Sequence, residues 1–67
     1  MNKYAILKYF KYDHLPQDLR DVSKHLAAAA HMLASILPDC EETEVGLRKL
    51  LEAKDCFVRA ALQARDS

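Results

Sequence analysis

The chain has little that bends, cross-links or charges it in one direction. Its 67 residues include one glycine, two prolines, two cysteines and no tryptophan. A single glycine excludes a glycine-rich phosphate loop, and neither GxSxG nor HExxH occurs. Cys40 and Cys56 allow at most one bridge. They form no CxxC pair and have no metal-ligand partner at standard spacing, so disulfide scaffold and zinc site are both disfavoured. The expectation is two buried or half-buried thiols in a reducing cytosol. His14, His25 and His31 never fall four apart on one face, which predicts solvated or half-buried rings and no metal pair. No apolar run approaches the roughly 20 residues of a membrane span. The first residues also lack the apolar stretch and small-residue cleavage site of a secretory leader. Ten basic residues balance ten acidic ones, so the bulk positive charge of a long-nucleic-acid binder is missing too. These absences predict a cytoplasmic, non-enzymatic protein with no cofactor and no membrane partner.

Apolar residues are abundant, at 51% of the chain, which is too rich for a disordered tail. A core this small usually yields only about 3–5 kcal/mol. Self-association into a homo-oligomer is the expected remedy. The expected fold is all-α: an antiparallel two-helix hairpin in one domain, with a short extended or ordered N-terminal arm over residues 1–14. After Pro16, which suits a first helical position, Leu19, Val22, Leu26, Ala29, Leu33 and Ile36 recur at alternating steps of three and four. That is a helix seam, predicting a first helix over about residues 16–37. Pro38 ends it, because the residue before a proline avoids the helical region. Asp39 with Glu42 forms an expected capping box for a second helix over about residues 40–65. Acids crowd its first turns and Arg59 and Arg65 lie late, as the helix dipole prefers. Its predicted seam is Leu47, Leu50/Leu51, Lys54, Phe57/Val58 and Ala61/Leu62. The short link around "PDC" requires an antiparallel pair. Gly46 inside this helix costs roughly 1 kcal/mol against alanine, and permits close approach of a neighbouring backbone. "KYAILKYFKY", rich in Tyr, Ile and Phe, favours an extended strand or ordered arm.

Charge is spread unevenly. Residues 1–12 carry Lys3, Lys8 and Lys11 and no acid. A basic aromatic arm suits a small, flat anion better than a duplex. In "YFKYDHLPQDL", Tyr9 and Phe10 are expected to pack. Tyr12, beside Asp13 and His14, is expected to present its ring at a surface, where stacking on a nucleobase contributes about 1–3 kcal/mol. Lys24 lies off the first-helix seam, where it either reaches a phosphate or remains a solvated lysine. Lys54 falls on the second-helix seam and must snorkel, pair with Asp55, Glu52 or another acid, or face an anion. Arg48, with Lys49 beside it, either forks onto a phosphate or pairs with Glu44 or Glu52 one turn away.

"FKYDHLPQDLRDVSKHL" followed by "ILPDCEETEVGLRKLLEAKDCFVRAAL" resembles the small phage anti-CBASS cyclic-oligonucleotide sponges, whose helical-hairpin domain is shared with phage anti-Thoeris sponges. The resemblance covers roughly residues 10–64. Its most specific piece is the Pro-Asp-x-Glu turn followed by Leu-Arg-Lys-Leu-Leu-Glu-Ala-Lys-Asp. It implies a non-catalytic protein that sequesters the signalling nucleotides of bacterial antiviral synthases in an infected host cell. It implies homo-oligomers, typically hexamers built as trimers of dimers. Cyclic dinucleotides would bind between protomers and, in many members, cyclic trinucleotides near the threefold axis. By this resemblance Tyr12 stacks on a base, Lys24 reaches the phosphates, and Arg48, with Lys49 beside it, serves the trinucleotide site. The alternative, drawn from the apolar seam alone, is a helical interaction module that binds a host protein.

Overall fold

The computed structural model describes residues 4–65. The described chain is all-helical: a 3-10 segment Ala5–Phe10, then α1 Gln17–Ile36 and α2 Glu41–Arg65. The two long helices pack as a hairpin, and the 3-10 segment lies against both.

The arm is ordered but not extended. In a 3-10 helix, residues three apart lie on one stripe. Tyr4, Leu7 and Phe10 have that spacing, and all three are buried. A strand would instead have put Tyr4, Ile6, Lys8 and Phe10 on one face, lysine included. The period-three pattern therefore wins over the β propensity of the individual residues.

Pro16 stands one position earlier than expected. It is the residue before α1, with φ −56° and ψ 158°, and its carbonyl accepts the first helical bond from the Arg20 N–H at 2.9 Å. At the other end Leu37 is extended, with φ −96° and ψ 155°, as the following Pro38 demands. Its N–H still closes the last turn onto the Leu33 carbonyl.

The buried stripe of α1 is Leu19, Ser23, Ala27, Ala30 and Ala34, displaced from the expected seam. Small residues let the 3-10 segment and α2 approach closely. Val22, Leu26 and Ala29 are half-buried beside the stripe, while Leu33 and Ile36 are exposed. The core thus joins Tyr4, Leu7, Phe10, Ala27, Ala30, Ala34 and Leu47.

Ser23 is 1% exposed, and its hydroxyl has no hydrogen-bond partner among the described residues. An unsatisfied buried hydroxyl costs about 1–3 kcal/mol. Ser23→Ala removes it and improves helix propensity. The expected result in a urea melt is a gain of at least about 1 kcal/mol in stability.

Both ends of the hairpin are tied. In the link, the Thr43 hydroxyl donates to the Pro38 carbonyl at 2.8 Å, and the Tyr4 hydroxyl reaches the same oxygen at 3.4 Å. Burial, then the nearby Asp39 carboxylate, hold the Tyr4 hydroxyl above its ordinary pKa. At the open end, Arg65 forks onto Asp18, with Nε donating to Oδ2 at 2.6 Å and a second bond to Oδ1. That fork holds the Asp18 carboxyl below its ordinary value. A depressed carboxylate stabilises the fold above its unfolded pKa, and the contribution is lost as pH falls through the folded value. Asp18→Asn should therefore melt slightly below wild type at neutral pH and converge with it below about pH 4, the gap staying small because the pair is exposed and screened.

Candidate functional site

The two cysteines are exposed free thiols, correcting the expectation that they are buried or half-buried. Cys40 occupies the position before α2, where the expected capping box had put Asp39. The Glu44 N–H bonds the Cys40 carbonyl at 3.1 Å, and the thiol lies 3.4 Å from the Thr43 hydroxyl. The Thr43 hydroxyl, the Thr43 N–H and the Glu42 N–H hold the Cys40 thiol below its ordinary pKa. Cys56 lies on the outer face of α2, where the Arg59 guanidinium donates to its sulfur at 3.3 Å. Among the described residues no group of three or more His, Cys, Asp or Glu could hold a metal ion, and no helix is long and apolar enough to cross a membrane. All three histidines are exposed.

The aromatics of the arm divide differently from expectation. Phe10 is core, as expected. Tyr9, expected to pack, is 56% exposed, and the Lys8 ammonium lies 5.2 Å from its ring centroid. Tyr12 is half-buried and rests against the core, so part of its ring is committed to packing and part is open. Its carbonyl accepts from the Leu15 N–H at 3.1 Å, which turns the chain into α1.

Lys24 is exposed on α1, off the buried stripe. Its one ion pair among the described residues is with Asp21 at 3.7 Å, a loose contact between half-exposed groups. One turn earlier, Arg20 bonds Gln17 at 3.2 Å while its Nε is buried with no partner. Residues four apart share a helix face, so Arg20 and Lys24 make a two-cation edge on α1. The sequence reading passed over Arg20. The spacing Arg20-x-x-x-Lys24 was its available signal.

Lys54 takes the pairing reading. Its side chain is 15% exposed, and the ammonium meets Asp55 at 2.9 Å.

Arg48 and Lys49 face different depressions. Arg48 lines a polar notch of about 320 Å³ with Tyr4, Ala5, Ile6, Asp39 and Glu44. Lys49 stands at the rim of an apolar groove of about 380 Å³ between the helices, floored by Leu33, Leu37, Leu47 and Leu50, with Glu42 also on its rim. Tyr12 and Lys24 line neither. Neither of these two cavities, then, brings the four candidate residues together.

No family model, curated protein or solved structure matches the chain.

Proposed function

We propose that this protein is a non-catalytic sponge: it binds cyclic dinucleotides, and in addition or instead cyclic trinucleotides, and so withholds them from an antiviral effector of the CBASS type. The observations that carry the reading are a partly open tyrosine before α1 and an exposed cation edge on α1. Tyr12 offers a ring face to a base. Lys24, held only loosely by Asp21, offers an ammonium to a phosphate, and Arg20 stands one turn away. Arg48 in its notch offers a guanidinium, partly balanced by Asp39 and Glu44 nearby.

A cyclic dinucleotide has two bases and two phosphates related by near-twofold symmetry. A site at a twofold interface supplies each stacking ring and each cation twice. That explains why the binding groups are scattered in one protomer. A homo-oligomer, a hexamer by resemblance to the phage sponges, completes the site. The place of action by the same resemblance is the cytoplasm of an infected bacterium.

The test is calorimetric titration with a panel of cyclic di- and trinucleotides. Sub-micromolar binding is expected, with the ligand recovered intact after heat denaturation. Absence of heat with every member of the panel would overturn the proposal. The apolar groove favours a second reading, a module that binds a host protein. That reading predicts no nucleotide binding at all.

A further inference from the structure

Gly46 is unexplained inside one protomer. It lies in the second turn of α2 and is exposed. A Cβ built there meets nothing within 4 Å, and its φ is not positive. Alanine would fit and would favour the helix. The missing side chain of the chain's one glycine therefore has no steric role within the protomer.

The surroundings indicate what that is. Gly46 lies in the apolar groove with Leu33, Leu37, Leu47, Leu50 and Ala53. Two charged residues rim it, Glu42 and Lys49. They have opposite sign and stand four residues before and three after the glycine. On a helix rising 1.5 Å per residue, these are about 6 Å and 4.5 Å along the axis, nearly equal steps in opposite directions. Among the described residues neither takes part in an ion pair. A charged pair placed evenly about a side-chain gap is self-complementary under a twofold rotation.

The exposed area leaves room for such a contact on an elongated hairpin. The chain presents 4861 Å², against about 4,300 Å² expected for a compact protein of its mass. A standard interface removes about 800 Å² per partner. Leu33 and Leu37 of the groove are themselves exposed, as is Ile36 of α1.

We propose that a second copy of this chain occupies the groove, the two α2 helices crossing at Gly46 about a twofold axis, with Glu42 of each copy against Lys49 of the other. Three observations carry it: a glycine without an internal role, an apolar groove, and a rim of balanced opposite charge. This interface rests on the homo-oligomer of the preceding reading and assigns its twofold contact. It also gives Lys49 an assembly role in place of a ligand-binding one.

The experiment is sedimentation velocity on the full chain without nucleotide, with each sample checked for helicity. Lys49→Glu and Glu42→Lys should each halve the assembly mass at micromolar concentration, through at least a tenfold weaker contact, about 1.4 kcal/mol. The double exchange, Glu42→Lys with Lys49→Glu, should restore it. Gly46→Leu should halve the mass with the helices intact. Gly46→Ala separates the alternatives. If nothing crosses at the glycine, it raises the melting temperature by several degrees and leaves the mass unchanged. If the helices cross there, it weakens assembly.

A wild-type monomer, an unchanged mass in the single charge variants, or no rescue by the exchange would overturn the interface. So would a host protein or a nucleotide found in the groove. Because no nucleotide is present, failure here is distinct from failure of the binding reading. An assembly that binds nucleotide yet ignores these variants would keep the sponge and discard this contact.

Discussion

Phe10→Ala should leave the isolated chain without a stable fold at room temperature. Phe10 is 1% exposed and sits in the core formed by Tyr4, Leu7, Ala27, Ala30, Ala34 and Leu47. The buried members of that core on α1 are alanines, whose short side chains cannot move in to fill the space. Removing a buried phenylalanine ring costs about 3–5 kcal/mol. A chain of this size has about that much stability from its core. The truncation also detaches the 3-10 segment, whose buried residues are Leu7 and Phe10, and with it the contact of the preceding Tyr4 to the hairpin link. Circular dichroism should show a lost or non-cooperative thermal transition. Comparison belongs at one low protein concentration, since assembly adds stability by mass action. Phe57→Ala is the matched control: Phe57 is exposed, and its loss should change protomer stability by no more than about 0.5 kcal/mol. Melting of Phe10→Ala within a few degrees of wild type would contradict the assigned core.

The second large effect concerns ligand binding. Tyr12→Leu should weaken cyclic dinucleotide binding by about tenfold or more, because a lost stacking face costs about 1–3 kcal/mol per base. Leucine is preferred to alanine here, since Tyr12 also rests against the core and an apolar side chain keeps that packing. Lys24→Gln should weaken binding by a similar factor and steepen nothing else, as Lys24 gives up only a loose exposed pair with Asp21. Both variants should retain the wild-type assembly mass. Tyr9→Leu is the informative companion. Tyr9 is the more exposed ring, yet one of its faces is near the Lys8 ammonium. If Tyr9→Leu abolishes binding and Tyr12→Leu does not, the stacking role belongs to Tyr9.

Much of the fold was legible in the sequence because the hairpin is written in punctuation. Pro16 and Pro38 bracket α1 to within one residue, and the acids of Glu41, Glu42 and Glu44 mark the start of α2. The face of α1 was read less well. A hydropathy seam follows the largest apolar residues, whereas the buried stripe follows the smallest. The run of alanines carried that information: three bodies meeting over one helix need short side chains. The arm was left between extended and ordered because propensity was weighed and period was not. Tyr4, Leu7 and Phe10 at steps of three were a visible 3-10 signature. The cysteines were misplaced because free thiols are usually buried, and a cysteine in a capping position has no distinctive pattern around it.

The candidate site was legible only as a set of residue types. Tyr12 and Lys24 can be picked out as a ring and a cation near a helix start. In the proposed assembly their relation to Arg48 is set by contacts between copies, which a single chain does not encode by spacing. Arg48 and Lys49 illustrate the difficulty. Adjacent in sequence, they point about 100° apart around a helix with 3.6 residues per turn, into a polar notch and an apolar groove respectively.

Native mass spectrometry of the protein incubated with a cyclic dinucleotide tests the central claim most directly. The account predicts an assembly with an even number of chains carrying ligands of unaltered mass, at one ligand per twofold contact. A protein that retains no ligand, or one that releases a linear, hydrolysed product, would contradict it.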